Sequence, residues 1–216
     1  MAKLKVGIVI SGRGSNMAAL IEAAKAPDYP AEVVCVVSNV AEAAGLQVAK
    51  GMGIATAVVR HEDHPDRESF DRALSAKLEE HGVELVVLAG FMRILSRWFP
   101  ERWAGRLVNI HPSLLPAFRG RHVARQAIES GVRVSGCTVH LVTPDLDAGP
   151  IIAQAAVPVF PDDTEATLSE RILRQEHRLY PLVVRWFGEG RIHVANGHVD
   201  VEGLPQGATL LFSAEP

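Results

Sequence analysis

The 216-residue sequence predicts an α/β protein with a doubly wound, Rossmann-like and mostly parallel sheet that ends in antiparallel strands. Two observations carry this prediction. Short runs that are apolar almost throughout alternate with longer segments of helical periodicity, which is typical of parallel strands covered on both faces. Beyond residue 110, two strand-like runs follow each other without a helix between them, which indicates an antiparallel pair added to the sheet.

The first half of the chain supplies repeated strand–helix units. The predicted strands are residues 5–10, 32–37, 55–59, 85–89 and 107–110. The predicted helices are residues 16–25, 42–52 and 66–81. In the last of these helices, Phe70, Leu74 and Leu78 recur every fourth residue, so one face can pack against the sheet.

The second half has a different pattern. Strands are predicted at residues 134–142 and 150–160, joined by a turn over 143–149. A long helix is predicted from residue 164 to 187, in which Pro181 is expected to cause a kink or end the helix. The sequence from residue 191 onward predicts small terminal strands.

Charge and hydropathy argue against two classes of function. Lysine and arginine together number 22 against 25 aspartates and glutamates, a net charge of −3, whereas nucleic-acid binders usually carry a positive excess. The longest apolar run, residues 85–91, is far shorter than the roughly 20 residues of a membrane helix. Because the chain also starts without a secretory signal, we expect a cytoplasmic protein that binds small molecules and neither nucleic acid nor membrane.

Metal binding is not expected. Cys35 and Cys137 lie in separate apolar runs and predict buried, reduced thiols rather than a disulfide framework or a cysteine-rich zinc site. Residues 61–64 (HEDH) resemble a ligand cluster, but they lie in a polar loop bounded by proline. No Gly-x-Ser-x-Gly motif is present in the sequence, which argues against a serine hydrolase.

The first candidate site is the segment of residues 11–16 (SGRGSN), here called the glycine turn, between the first strand and the first helix. Its glycines allow the backbone to approach an anion, and a helix start attracts negative charge. Ser15 or Asn16 is expected to cap that helix. A dinucleotide site is disfavoured because Met17 replaces the third glycine and residues 38–39 provide no carboxylate for a ribose. A single phosphate is the favoured ligand, and a simple tight turn is the alternative.

The second candidate site is residues 109–116 (NIHPSLLP). Asn109 and His111 are two residues apart, so at the end of a strand they face the same side. Asparagine can donate to an oxyanion, and histidine changes charge near neutral pH. The pattern therefore predicts an acyl-transfer site, with a structural strand-end histidine as the alternative.

The third candidate is the turn that carries Asp145 and Asp147. A carboxylate beside His111 would orient the imidazole and favour its protonated form. The spacing decides neither which aspartate reaches His111 nor whether one does, because turn aspartates often serve only the turn.

Together these motifs resemble the folate-dependent formyltransferases. The matching segments are 11–16, LAGFMRIL at 88–95, NIHPSLLP at 109–116, LDAGP at 146–150, and QEH with YP at 175–177 and 180–181. The resemblance runs from about residue 5 to 190. The early glycine turn and the length favour the branch that formylates glycinamide ribonucleotide (GAR) in purine synthesis.

The resemblance implies an activity and a set of site residues. The formyl group of 10-formyltetrahydrofolate, a co-substrate, would pass to the amine of GAR without a metal. The catalytic set would be Asn109, His111 and Asp147. GAR would be bound by Gly14, Ser15, Asn16, Arg174 and Glu176. Folate would be bound by Arg67, Met92, Arg93, Ile94, Leu95, Asn109, Thr143, Pro144, Asp145, Leu146 and Asp147, with Arg67 near its glutamate tail.

The resemblance also implies the domain organisation. We expect one formyltransferase-fold domain over residues 1–216, as a monomer or a homodimer. Residues 1–110 would form a phosphate-binding Rossmann-like half and residues 111–190 a folate and catalytic half. Residues 191–216 would form C-terminal strands or a tail.

The sequence departs from the family pattern at two places. Of a common His-x-His motif only His122 remains, because Ala124 occupies the second position. Leu173 stands where the family often has a polar phosphate contact, so Arg174 or the glycine turn is expected to bind the phosphate instead.

Other functions on the same fold are less compatible with this chain. Methionyl-tRNA formyltransferase carries a further tRNA-binding domain, and formyltetrahydrofolate hydrolase usually carries an N-terminal regulatory domain. A sugar N-formyltransferase is disfavoured by the glycine turn, and a non-catalytic phosphate-binding module by the presence of all three catalytic residue types.

Overall fold

The computed structural model describes residues 2–204, in which seven strands form one sheet in the order β3-β2-β1-β4-β5-β6-β7. The parallel strands are β1 (Leu4–Ile10), β2 (Ala31–Ser38), β3 (Ala55–Val58), β4 (Leu85–Leu88) and β5 (Leu107–His111). The antiparallel strands are β6 (Val134–Leu141) and β7 (Ile151–Pro158). A separate hairpin consists of β8 (Ile192–Ala195) and β9 (His198–Val201).

Six α-helices surround the sheet within the described residues. They are α1 (Ser15–Ala24), α2 (Ala44–Gly51), α3 (Arg67–Glu80), α4 (Trp98–Arg102), α5 (Val123–Glu129) and α6 (Glu165–Gly188). The predicted α/β class, the doubly wound sheet and its antiparallel C-terminal strands are confirmed. Every predicted strand of the sheet and every predicted helix is present, with bounds within two residues of those expected.

The core lies on both faces of the sheet. In β1, Ile8 and Ile10 pack in the cluster that contains the buried faces of α1, α2 and α6, whereas Val9 packs with α3 and α4. Successive side chains of a strand point to opposite faces. Burial on both sides therefore explains why the strands are apolar throughout rather than alternating.

Two short helices, α4 and α5, were not predicted from the sequence. They span five and seven residues, which is too short for helical periodicity to stand out. Pro181 lies inside α6 and does not end it, so of the two expected effects, a kink or an end, the end is wrong and the kink stays a prediction. The buried residues Val183, Val184 and Trp186 beyond the proline pack on the core and favour continuation of the helix.

The far end of the chain is only partly described. The predicted terminal strands are present as β8 and β9, while residues 205–216 lie outside the described residues. The single-domain organisation over 1–216 stays a prediction. Among the described helices, none combines the length and the hydropathy that a membrane span requires.

Tyr180 joins α6 to the centre of the sheet. Its side chain is fully buried, and its hydroxyl lies 2.8 Å from the Leu88 carbonyl oxygen and 3.1 Å from that of Val108. One hydroxyl proton is thus shared between the carbonyl oxygens of β4 and β5. Burial raises the pKa of Tyr180, so the hydroxyl keeps the proton that it donates.

Tyr180→Phe should lower the free energy of unfolding by about 1–2 kcal/mol, because two strand carbonyls lose a buried donor. Urea denaturation measures this change. Tyr29→Phe is the matched control. The Tyr29 hydroxyl donates to one carbonyl oxygen, that of Pro181, so its loss should lower the free energy of unfolding less. Equal stability of Tyr180→Phe and wild type would contradict this role.

Candidate active site

The site lies where the strand order reverses between β1 and β4, which is where open α/β sheets form a ligand crevice. Ser11, directly after β1, donates its hydroxyl to Asn39 Oδ1 at 2.6 Å and accepts the backbone N–H of Met92 at 2.9 Å. The Ser11 backbone N–H also donates to the Gly90 carbonyl oxygen at 3.2 Å. The segments that follow β1, β2 and β4 are therefore bonded to one another.

The glycine turn presents the start of α1. Gly14 occupies the cap position with a positive φ of 74°, and no side chain caps the helix. The expectation that Ser15 or Asn16 would cap it is wrong, because both residues lie inside the first turn of the helix. With no side-chain cap, the first backbone N–H groups of α1 remain available to an anion.

Asn16 and Glu176 form a buried pair beside that turn. Asn16 Nδ2 donates to Glu176 Oε2 at 2.7 Å. Burial raises the pKa of Glu176, and the Asn16 amide opposes the shift only in part. Asn16 Oδ1 is buried and has no hydrogen-bond partner among the described residues, so the pair retains a free acceptor.

Arg174 forms no hydrogen bond or ion pair with Asn16 or Glu176. Its side chain is 71% exposed and pairs with Glu170 Oε1 at 2.9 Å, whereas Glu176 is buried. Residues two positions apart on a helix lie on nearly opposite sides. Leu173 is half-buried and carries no polar group, so among the implied GAR residues the structure brings together the glycine turn and Glu176.

His111 is held at the end of β5 by two groups. Its Nε2 lies 2.9 Å from the Phe118 carbonyl oxygen, and its Nδ1 lies 3.7 Å from Asp147 Oδ2. The His111 and Asp147 side chains are only 6% and 8% exposed. Because a carbonyl oxygen only accepts, Nε2 carries a proton, and a second proton on Nδ1 would face the carboxylate.

Asp147, rather than Asp145, is the turn aspartate that reaches His111. Asp147 has a positive φ of 48°, and its Oδ2 also accepts the Gly120 N–H at 3.1 Å. Asp145 is exposed. The backbone conformation of the turn therefore determines which aspartate lies beside His111, a question that the sequence spacing left open.

Asn109 pairs with a residue that sequence reasoning missed. Asn109 Nδ2 lies 3.3 Å from His140 Nε2, and His140 Nδ1 lies 2.9 Å from the Leu141 carbonyl oxygen. Burial lowers the pKa of His140. A neutral ring that donates from Nδ1 accepts at Nε2, so His140 orients the Asn109 amide.

The sequence feature that could have indicated His140 as a site residue is its position in β6. Thr138 and His140 are polar residues on the same side of a mostly apolar strand, and they pair in register with His111 and Asn109. Thr138 Oγ1 accepts the Leu115 N–H at 3.0 Å and donates to the Ser113 carbonyl oxygen at 2.7 Å. Only the pairing of β5 with β6 brings these residues together.

Apart from Arg67 in α3 and Asn109 in β5, the residues implied for folate lie on two segments. In the first, residues 89–97 after β4, here called the β4 loop, Met92 is 71% and Ile94 58% exposed. In the second, residues 143–147, Leu146 is also exposed. Exposed apolar side chains beside a polar site favour a ligand with an apolar body.

The other implied folate residues differ in their burial and contacts. Arg93 is half-buried, with its guanidinium 5.5 Å from the centre of the Phe70 ring. Leu95 packs against the core, and exposed Arg67 lines a shallow groove that also contains Ser96. Thr143 Oγ1 lies 3.3 Å from the Asp145 carbonyl oxygen, and Pro144 is exposed.

The structure shows no metal centre among residues 2–204, either at the histidines of residues 61–64 or at the two cysteines. No group of three or more His, Cys, Asp or Glu side chains there is arranged to hold an ion. Residues 61–63 form a single 3-10 turn. Cys35 and Cys137 are buried free thiols, as predicted, and burial raises the pKa of Cys35 to about 12.

The formyl transferase family model matches residues 4–184. The chain belongs to the formyl transferase family. The phosphoribosylglycinamide formyltransferase of Escherichia coli is 46% identical over 204 residues, which cover 94% of this chain and 96% of that protein. Glycinamide ribonucleotide transformylase 1 of Symbiobacterium toebii has a similar structure, with a TM-score of 0.90 at 44% identity over 92% of this chain and 94% of that one.

Other relatives of this formyl transferase are much longer. The human trifunctional purine biosynthetic protein adenosine-3 is 47% identical over 198 residues, which cover 91% of this chain but 20% of that protein. The chain thus spans about a fifth of the length of these trifunctional relatives. The expected formyltransferase family and fold are confirmed.

The buried Glu176 gives this formyl transferase a testable pH dependence. Because the folded-state pKa lies above the ordinary value of 4.5, unfolding releases a proton only between pH 4.5 and the folded pKa, and none well below or well above that range. The free energy of unfolding should therefore fall as the pH rises from 4.5 to the folded pKa and then level off. Glu176→Gln keeps an acceptor for Asn16 and should lose this part of the pH dependence.

Urea denaturation of both proteins across pH 4 to 9 measures the difference. Glu170→Gln is the control, since it removes an exposed carboxylate from the same helix and should follow the wild-type profile. Parallel profiles of Glu176→Gln and wild type would show that burial does not perturb Glu176.

Proposed function

We propose that this chain transfers the formyl group of 10-formyltetrahydrofolate to the amine of GAR. The products are formylglycinamide ribonucleotide and tetrahydrofolate, as in de novo purine biosynthesis. The observation that carries the proposal is the grouping of Asn109, His111 and Asp147 at one end of the sheet. The relatives that match over more than nine-tenths of their length support the choice of substrates, because they are named for GAR.

GAR binds at the glycine turn in this proposal. Its phosphate accepts hydrogen bonds from the uncapped backbone N–H groups of Gly14, Ser15 and Asn16, where the helix start favours negative charge. Glu176 and the free Oδ1 of Asn16 then face the ribose or glycyl part, whose hydroxyl and amine groups are donors. Arg174 contributes only if its side chain leaves Glu170.

Folate binds along the β4 loop and residues 143–147. The apolar side chains of Met92, Ile94 and Leu95 cover the flat pterin ring, and Leu146 adds a further apolar surface. Arg67 and Arg93 supply positive charge toward the glutamate tail. Asn109 and Asp147 lie at the reacting end of the same ligand.

The chemistry needs neither a covalent enzyme intermediate nor a metal. The neutral amine of GAR attacks the formyl carbon, a new C–N bond forms, and the formyl oxygen takes the negative charge. Asn109 donates an N–H to this oxygen, and protonated His111 donates the second hydrogen bond. The C–N10 bond then breaks, and the proton lost by the amine passes to N10 of folate.

The observed bond to Phe118 constrains how His111 takes part. Asp147 balances the imidazolium charge at Nδ1, so Nε2 is the nitrogen left for the formyl oxygen. Nε2 now lies 2.9 Å from the Phe118 carbonyl oxygen. Catalysis therefore exchanges this bond for one to the substrate, and the carbonyl keeps the ring oriented until the substrate arrives.

The partners in this proposal are two small anionic molecules in the cytoplasm. A net charge of −3 suits ligands that are held by local groups rather than by a basic surface. Neither nucleic acid nor membrane has a part in the reaction. Monomer and homodimer are both compatible with it.

Asn109→Ala should keep the fold and lose at least ~10²–10³ in kcat, because an oxyanion donor is removed. The rate of tetrahydrofolate formation from 10-formyltetrahydrofolate and GAR measures this loss, and circular dichroism checks the fold. Turnover close to wild type would contradict the proposed role of Asn109.

His140→Ala should lower kcat by about tenfold, because the Asn109 amide loses the acceptor that orients it. The double variant Asn109→Ala/His140→Ala should be no slower than Asn109→Ala alone, since His140 acts through Asn109. His193→Ala, in the exposed β8–β9 hairpin, is the control and should leave kcat unchanged. Additive losses in the double variant would contradict this coupling.

A further inference from the structure

Asp71 is a buried carboxylate that the proposed reaction does not use. It lies in α3, which flanks the sheet on the side away from α1 and α6, and its side chain is fully buried. Asp71 Oδ2 accepts the backbone N–H of Ser96 at 2.6 Å. The carboxylate therefore bonds to the backbone of the β4 loop, 25 residues further along the chain.

The β4 loop is held at two points by side chains from elsewhere in the fold. Ser11 Oγ accepts the Met92 N–H at 2.9 Å near its start, and Asp71 accepts the Ser96 N–H near its end. Between these two bonds lie the exposed side chain of Ile94 and the half-buried Arg93. The two bonds thus bracket the part of the loop that the proposed function assigns to folate.

The surroundings of Asp71 are unusual for a residue that only packs a helix. Burial raises the pKa of Asp71, and the Ser96 hydrogen bond, Arg67 and Arg93 oppose this shift only in part. Asp71 Oδ1 and Arg93 Nε are both buried without a hydrogen-bond partner among the described residues. Leaving such groups in a packed region is costly, so Asp71 serves more than the packing of α3.

We propose that Asp71 is a positioning residue for formyl folate, which it serves by fixing the Ser96 end of the β4 loop. This proposal rests on the proposed function, in which that loop receives the pterin. Asp71 itself touches neither substrate nor reacting atoms. A loop fixed in advance costs less conformational entropy to order on binding, so the effect belongs to folate affinity rather than to the chemical step.

Two variants separate the hydrogen bond from the charge. Asp71→Ala removes both, and the KM for 10-formyltetrahydrofolate should rise by about tenfold or more. Asp71→Asn keeps the size and an acceptor oxygen, and its KM should rise about threefold, because neutral acceptors form weaker bonds. In both variants kcat and the KM for GAR should stay within about twofold of wild type.

Ser75→Ala is the matched control for damage to α3. Ser75 is buried one turn after Asp71 and accepts the Trp103 Nε1–H at 3.0 Å, with no bond to the β4 loop among those described. Its loss should loosen the helix without changing the KM for formyl folate. A similar rise of this KM in Ser75→Ala and Asp71→Asn would overturn the proposal.

Amide hydrogen exchange gives a readout that does not depend on activity. In Asp71→Asn, exchange at residues 92–97 should become faster, while exchange in β1 and α6 stays as in wild type. Unchanged exchange at these residues, together with an unchanged KM for formyl folate, would overturn the proposal. If the wild-type protein fails to use formyl folate, the proposed function fails, and the exchange experiment still tests the control of the loop by Asp71.

Discussion

The reversal of strand order between β1 and β4 is the constraint on which the rest of the site depends. A reversal separates the loops that follow two neighbouring parallel strands and leaves a crevice between them. In this protein the Ser11 hydroxyl forms hydrogen bonds to the loops after β2 and β4. The segments assigned to phosphate and folate are therefore held in fixed positions relative to each other. Tyr180 adds a second link, from α6 to the carbonyl groups of β4 and β5.

Three polar side chains of the candidate site, His111, Asn109 and Asn16, are each oriented by a second polar side chain. Asp147 and the Phe118 carbonyl hold His111, His140 orients Asn109, and Glu176 accepts from Asn16. Such pairs are stable in a buried environment because each group satisfies the other. They also leave defined donors and acceptors toward the substrates, so little reorganisation is needed during the reaction.

Most of the fold was predictable from the sequence, because strands buried on both faces and amphipathic helices leave strong patterns. Family motifs then indicated Asn109, His111 and Asp147 as a set. What could not be predicted depends on contacts between distant segments. The pairing of His140 with Asn109 needs the register of β5 on β6, the bond from Asp71 to Ser96 needs the packing of α3, and the uncapped start of α1 needs the backbone angles of Gly14. Pro181 shows the same limit, since tertiary packing keeps α6 helical beyond it.

Asn109 and His111 on β5, with Asp147 from the turn after β6, form the set proposed to transfer a formyl group to the amine of GAR. The most direct measurement is the release of tetrahydrofolate from 10-formyltetrahydrofolate by the purified protein, with and without GAR. Tetrahydrofolate should be released only when GAR is present, with formylglycinamide ribonucleotide formed in equal amount. Release without GAR would indicate a hydrolase, and no release in either case would indicate another acceptor or a binding protein; either result would contradict GAR formylation by this protein.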